Sequence, residues 1–130
     1  MKYRFKEEIK VRFADLDAYG HVNNATFFTY LETARTNTFL STFNNLMEKG
    51  ILLIVVKAEC SYLKPITLID RVFVEFGITS KGKTSFVIDY EINNGKSVTF
   101  ATASTTMVCL DKNSGKPVKV PGELEEYLFD

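Results

Sequence analysis

The sequence has no surplus of either charge: 16 Lys and Arg stand against 16 Asp and Glu, with a single His beside them. A nucleic-acid partner is therefore not expected, because phosphate contacts and counterion release call for a basic excess. Cysteine is scarce as well. Cys60 and Cys109 lie in apolar β-like stretches rather than in a spaced framework, and one His cannot complete a zinc set with them. The expectation is two reduced core thiols, no metal and no cofactor. Long apolar runs are also missing. Residues 1–13 alternate charged and apolar side chains, unlike a signal peptide, and no later stretch has membrane-spanning length. These absences predict a soluble cytoplasmic protein with no membrane partner. At 130 residues, 45% apolar and 25% charged, the chain reads as one domain over 1–130.

What is present has clear periodicity. Between Lys2 and Phe13, Tyr3, Phe5, Ile9, Val11 and Phe13 fall on one face and basic or acidic side chains on the other, which predicts a half-buried strand. Residues 14–24 break that period with Asp15, Asp17, Gly20, Asn23 and Asn24, residues suited to turns and caps. Asn23 is the N-cap candidate. From Asn24 to about Phe39, Phe27, Tyr30, Leu31, Ala34 and Thr38 recur every three or four residues, predicting a helix, with a shorter helical piece from Ser41 to Gly50.

The rest is β-rich. Ile51 to Val56 is a continuous apolar run, and its strand continues towards Leu63 until Lys64-Pro65 ends it. Val72, Val74, Phe76 and Ile78 alternate with polar neighbours, as do Phe86, Ile88, Tyr90 and Ile92, with a turn around Gly82 between them. Asn94-Gly95 signals a hairpin into a last strand from about Lys96 to Leu110, and Leu124, Tyr127 and Leu128 suggest a short C-terminal helix. One long helix and about five strands share a core if a curved antiparallel sheet is laid against the helix, an α+β domain. Such a sheet keeps open edges, which oligomerisation would cover.

The densest polar constellation runs from Asp15 to Asn24, just before the helix. The first backbone N–H groups of a helix lack internal acceptors and carry the positive end of its dipole, so they suit an oxyanion developing on a bound carbonyl. Asn24 N–H is the best-placed donor. A carboxylate opposite it activates water or attacks the carbonyl, giving an acyl-transfer site. Residue chemistry alone leaves a second reading open, in which Asp15 and Asp17 only brace a turn and His21 is an ordinary imidazole.

The run from Val11 to Phe27, followed by Tyr30-Leu31-Glu32-Thr33-Ala34-Arg35, resembles the signature of the 4-hydroxybenzoyl-CoA thioesterase-like family of hotdog-fold acyl-CoA thioesterases. Further matches follow in order: Ser61 to Ile66 with Asp70, Gly82 to Phe86, and Val108 to Asp111 with Gly115-Lys116-Pro117 and Pro121. Nearly the whole chain is covered. The resemblance implies a hotdog fold, a curved sheet of about five strands around one long helix, and hydrolysis of an acyl-CoA or acyl-carrier-protein thioester.

Carried across by position, the family's catalytic carboxylate falls on Asp17 and its carbonyl-polarising amide on Asn24, with Asp15 shaping the loop. Gly20, His21, Asn23 and Tyr62 match positions around the substrate. Lys83, Thr84 and Ser85 match those that meet the coenzyme A phosphates, generally from a neighbouring subunit, with Lys81 and Lys64 as helpers. Lysine in place of arginine gives up the bidentate fork and loosens phosphate recognition. A homodimer or homotetramer with sites at subunit interfaces is implied. Glu32 and Arg35, three apart, read as a surface ion pair, and Phe27, Phe28, Tyr30 and Phe39 as core.

Two other readings remain beside the thioesterase. One is a hotdog domain that binds an acyl thioester or serves in assembly without hydrolysis. The other is a hydratase, which would use Asp17 with His21 but lacks the Asn-Pro expected between such a pair. The neutral total hides unlike parts: residues 51–120 carry nine basic and six acidic groups, while 121–130 carry four acidic and no basic ones. Local positive charge therefore remains for a phosphorylated ligand.

Overall fold

The computed structural model describes residues 3–127. In chain order these form β1 (Phe5–Ile9), α1 (Asn24–Glu48), β2 (Ile51–Tyr62), β3 (Val72–Lys81), β4 (Ser85–Asn93) and β5 (Thr99–Asp111), with 3-10 turns at Phe13–Asp15 and Gly122–Tyr127. All strand pairs are antiparallel, and the sheet order is β1-β3-β4-β5-β2. Period-two alternation turns Val72, Val74, Phe76 and Ile78 of β3, and Phe86, Ile88, Tyr90 and Ile92 of β4, into the core. Against them α1 buries Phe27, Leu31, Ala34, Phe39 and Leu46, spaced at helical intervals. Phe39 locks the layers together. Its ring meets Phe5 of β1 at 5.3 Å and Phe76 of β3 at 5.8 Å, both edge-on. The result is the expected hotdog fold.

Three expectations are corrected. α1 is one helix of 25 residues, without a break at Ser41. No Gly or Pro interrupts residues 24–49, Ser41 faces solvent, and Thr42 beside it is buried with its hydroxyl 2.8 Å from that of Tyr127. The helix stops at Gly50, whose φ of +81° favours a residue without a Cβ. The first strand is only Phe5–Ile9, because its partner runs out: Ile9 pairs with Val72, the first residue of β3. Beyond it the chain folds into the turn at Phe13–Asp15, which leaves the Phe13 ring 80% exposed rather than in the core. The last strand starts at Thr99, since Asn94 Oδ1 accepts the N–H groups of Lys96 and Val98 and keeps those residues in the hairpin loop.

The apolar run at the start of β2 also has a different environment from a core strand. β2 is an edge, paired only to β5, with a register shift between Val55 and Lys57, and Ile54, Val55 and Val56 are exposed. The C-terminal helical turn is the 3-10 segment Gly122–Tyr127, anchored by buried Leu124; Leu128 lies outside the described residues. Cys109 is buried and Cys60 half-buried, and both are free thiols.

Candidate active site

The loop before α1 is built on Asp15. Its carboxylate is 3% exposed and accepts the Arg12 backbone N–H at 3.0 Å, the Arg12 guanidinium at 2.9 Å and the Tyr30 hydroxyl at 2.7 Å. Burial pushes the Asp15 carboxyl up, but these three donors together hold it below its ordinary range. Burial and the carboxylate neighbour push the Tyr30 hydroxyl far up, so it stays protonated as the donor. The Asp15 carbonyl in turn accepts Asn23 N–H at 2.9 Å, fixing the start of α1 to the turn.

Between these anchors residues 16–22 make a small hairpin. Leu16 bridges Val22, Asp17 N–H donates to the His21 carbonyl at 2.8 Å, and Gly20 N–H donates to the Asp17 carbonyl at 3.1 Å. The Gly20 φ of +81° closes this turn. Asp17 uses one carboxylate oxygen locally: Oδ1 accepts the N–H groups of Tyr19 at 2.9 Å and His21 at 3.3 Å. Oδ2 has no partner among the described residues.

A second loop is stitched alongside. Val22 N–H donates to the Ile66 carbonyl at 2.8 Å and His21 bridges Thr67, while Thr67 donates from its N–H and hydroxyl to Asp70 Oδ2. Asn23 caps α1 through its side-chain oxygen on Ala25 N–H, and its carbonyl takes Thr26 N–H. Asn24 N–H is left without an acceptor among the described residues. On the far side, the Tyr62 hydroxyl at the end of β2 donates to the Asn24 carbonyl at 2.8 Å, and its ring meets Phe27 edge-on at 4.9 Å. Burial, followed by the neighbouring Cys60, pushes the Tyr62 hydroxyl up and keeps it a donor.

A groove of about 230 Å³ results, lined by Asp17, His21, Val22, Asn24, Phe27, Tyr62, Leu63, Lys64 and Pro65. It brings together a carboxylate, a helix N-terminus and an apolar wall. Asp17, His21, Asn24, Tyr62 and Lys64 thus meet in one place. Gly20 and Asn23 do not line the groove; the first closes the Asp17 turn and the second caps the helix. Lys83, Thr84 and Ser85 lie elsewhere, at the β3–β4 turn. That turn is at the opposite end of β3 from Val72, about 30 Å away at the usual rise of a strand. Lys81 there pairs with Glu125.

Several features were not visible in the residue order. The Asp15–Tyr30 bond joins positions fifteen apart, and the only hint was that a buried tyrosine needs a partner. Val22, Phe27, Leu63 and Pro65 form the groove wall, although the sequence pattern assigns Phe27 to the core and Leu63 and Pro65 to the end of a strand. Arg35 is also no surface group. It is 8% exposed, with Glu32 4.0 Å away, and it interacts with the buried Tyr90 hydroxyl. Among the described residues no three His, Cys, Asp or Glu side chains converge to hold a metal, and no helix is long and apolar enough to cross a membrane.

Comparison with known proteins finds similar thioesterases among characterised sequences and solved structures. The chain is 31% identical to the long-chain acyl-CoA thioesterase FadM of Escherichia coli (strain K12), over 93% of this chain and 94% of that protein. The crystal structure of Slr0204, a 1,4-dihydroxy-2-naphthoyl-CoA thioesterase from Synechocystis, superposes with a TM-score of 0.85 at 27% identity, covering 95% of this chain and 93% of that one. A thioesterase from Thermus thermophilus, complexed with coenzyme A and Zn, superposes with a TM-score of 0.78 at 34% identity, covering 94% and 89%. With the family model of the thioesterase-like superfamily matching residues 11–128, over the same loop, helix and sheet that build the groove, this chain belongs to that superfamily.

Proposed function

We propose that this protein hydrolyses the thioester of an acyl-CoA to the free acid and coenzyme A. The observation that carries this reading is the pairing of two unsatisfied groups across one groove: Asp17 Oδ2 and the Asn24 N–H. A thioester carbonyl set against Asn24 N–H has its developing negative charge stabilised by that donor and by the helix dipole. Asp17, with Oδ1 held by two backbone N–H groups, presents a fixed Oδ2. That oxygen takes a proton from water as the water oxygen adds to the carbonyl carbon, or it attacks the carbon itself to form an anhydride that water then opens. In both routes the C–S bond breaks and the sulfur departs to become the free thiol. Tyr62 and Asp15 hold the two halves of the site in place, His21 contributes backbone bonds to the Asp17 turn, and Lys64 supplies positive charge at the rim.

A homodimer completes the site in this reading. β2 is a twelve-residue edge with exposed Ile54, Val55 and Val56, an arrangement that natural proteins seldom leave uncovered. Antiparallel pairing of two β2 strands about a two-fold axis brings the Ile51 end of one copy beside the Tyr62 end of the other. The β3–β4 turn goes with it, because Ser85 pairs with Val108 and Val108 with Ile54. Lys83, Thr84 and Ser85 of the second copy then approach the Asp17 groove from outside and receive the coenzyme phosphates.

Release of free thiol from a panel of acetyl-, decanoyl-, palmitoyl- and benzoyl-CoA tests the reading. Wild type turns over at least one of them, and Asp17→Asn lowers kcat by about 10²–10⁴-fold. Inactivity of folded wild type towards the whole panel overturns it in favour of a binding or assembly domain. The same panel presented on acyl-carrier protein decides whether that carrier replaces coenzyme A.

A further inference from the structure

The end of the sheet away from Asp17 carries the β3–β4 turn and, bonded to it, the C-terminal segment. Cys109 N–H donates to the Thr84 carbonyl and Val120 N–H to the Lys83 carbonyl, both at 2.9 Å, so the turn is held from β5 and from the chain leading into Gly122–Tyr127. That chain is itself anchored. Leu124 is buried, the Tyr127 ring meets Phe39 at 4.9 Å, and the Tyr127 hydroxyl lies 2.8 Å from that of Thr42. Between these anchors Glu123, Glu125 and Glu126 face outward.

Two of the three carboxylates take up lysines. Glu123 pairs with Lys49, and Glu125 pairs with Lys81 at the end of β3. The Lys81 ammonium, and after it Lys119, hold the Glu125 carboxyl below its ordinary range. Lys83, two residues further on, is in no ion pair among the described residues. The Cα atoms of Lys81 and Lys83 are at most about 7 Å apart. A phosphate received by Lys83 therefore falls within one screening length of the Lys81–Glu125 pair, about 10 Å at ordinary ionic strength.

We propose that Glu125 sets the affinity of this protein for the coenzyme: its carboxylate occupies Lys81 in place of a phosphate and repels the phosphates that Lys83 receives. The inference rests on the reading that this turn of the second copy meets the coenzyme phosphates. A bound coenzyme then has Lys83, Thr84 and Ser85, and gains Lys81 only by displacing Glu125. The backbone of Glu125 is already fixed by Leu124 and Tyr127, so the internal anion loses little freedom on pairing and competes well. Free coenzyme A bears the same phosphates as its thioesters, so substrate and product are weakened alike. An acyl-pantetheine has no phosphate and is indifferent to Glu125.

Titration calorimetry with adenosine 3′,5′-bisphosphate, the phosphorylated end of the coenzyme, tests this on the whole protein. Glu125→Gln, an exposed and nearly isosteric change, should tighten binding about three- to tenfold at about 20 mM salt and less than about twofold at about 0.5 M. Glu126→Gln removes the same charge from a neighbour that holds no lysine, and should change binding less than about twofold. Adding Lys81→Gln to Glu125→Gln should abolish the gain. In turnover of the best acyl-CoA of the panel, Glu125→Gln should lower KM by the same factor with kcat held, and leave the matching acyl-pantetheine unchanged. Equal effects of Glu125→Gln and Glu126→Gln, a gain that survives high salt, or an altered KM for acyl-pantetheine overturns the proposal.

Lys83→Gln separates it from the readings beneath it. If Lys83→Gln weakens binding of the bisphosphate while Glu125→Gln does nothing, the phosphate turn stands and the proposal falls. If Lys83→Gln does nothing, the placement of the phosphates falls and the proposal with it. Tighter bisphosphate binding by Glu125→Gln, with no turnover of any acyl-CoA by wild type, sinks the thioesterase reading and leaves the role of Glu125 standing.

Discussion

The Tyr30 hydroxyl, on the first turns of α1, donates a 2.7 Å hydrogen bond to the buried carboxylate of Asp15 in the preceding loop. This bond fixes the distance between the helix that supplies Asn24 and the hairpin that supplies Asp17. The two parts of the chain that line the groove, and to which the proposed reaction assigns its base and its donor, are thereby tied together.

Removing the donor should be felt as stability. Tyr30→Phe leaves a buried carboxylate one bond short, at a cost of about 1.5–3 kcal/mol for a bond to a charged group. The expected fall in Tm is about 5–10 °C for a chain of this size, read by differential scanning calorimetry. An unchanged Tm would mean that water or Arg12 fully replaces the hydroxyl.

Acid should act at the same place. The folded Asp15 carboxyl titrates below its ordinary 3.8. The stability it contributes is therefore fully present above that value and is lost as pH falls through the lower folded value. The difference in urea midpoint between wild type and Asp15→Asn should be constant from about pH 7 to pH 5 and shrink below about pH 4. A difference that grows on acidification would reverse the sign and exclude this account.

Asp17 should behave oppositely to Asp15. It is exposed and braces only its own turn, so Asp17→Asn should change stability by no more than about 0.5–1 kcal/mol while abolishing most turnover. Asp15→Asn should lose stability first and activity with it. Equal effects of the two substitutions on Tm would contradict the division of labour between anchor and reacting group.

Gly20 offers a test of loop geometry. A Cβ there would meet nothing within 4 Å, so the cost of Gly20→Ala comes from the +81° φ alone, about 1–2 kcal/mol. Gly20→Asn, a residue that tolerates this conformation, should recover part of the loss. If Ala and Asn behave alike, the turn has opened and kcat should fall with it.

Tyr62→Phe keeps the ring on Phe27 but loses the bond to the Asn24 carbonyl. The first turn of α1 is then held less firmly, and kcat should drop about three- to tenfold with KM little changed, since the contact sets orientation rather than binding. A change confined to KM would make Tyr62 a substrate contact instead.

The sequence by itself determined the elements that have a period or a stop signal. Alternation on β3 and β4, the helical recurrence from Phe27 to Phe39, the Asn23 cap, the Asn94-Gly95 hairpin and the Gly50 helix end are local properties, settled within a few residues by sterics and by which face is apolar. The motif around Asp17 and Asn24 was legible because both belong to one loop and helix start. Tertiary structure alone decided the rest. Whether Ile51–Val56 is core or edge depends on how many strands pair with it, and where β1 stops depends on where β3 begins. That Tyr62 and Lys64 join Asp17, while Lys83 sits at the opposite end of the sheet, follows from strand order. Hydrogen-bonded strands lie about 4.8 Å apart whatever their separation in sequence, and residues at the two ends of one strand remain tens of ångströms apart.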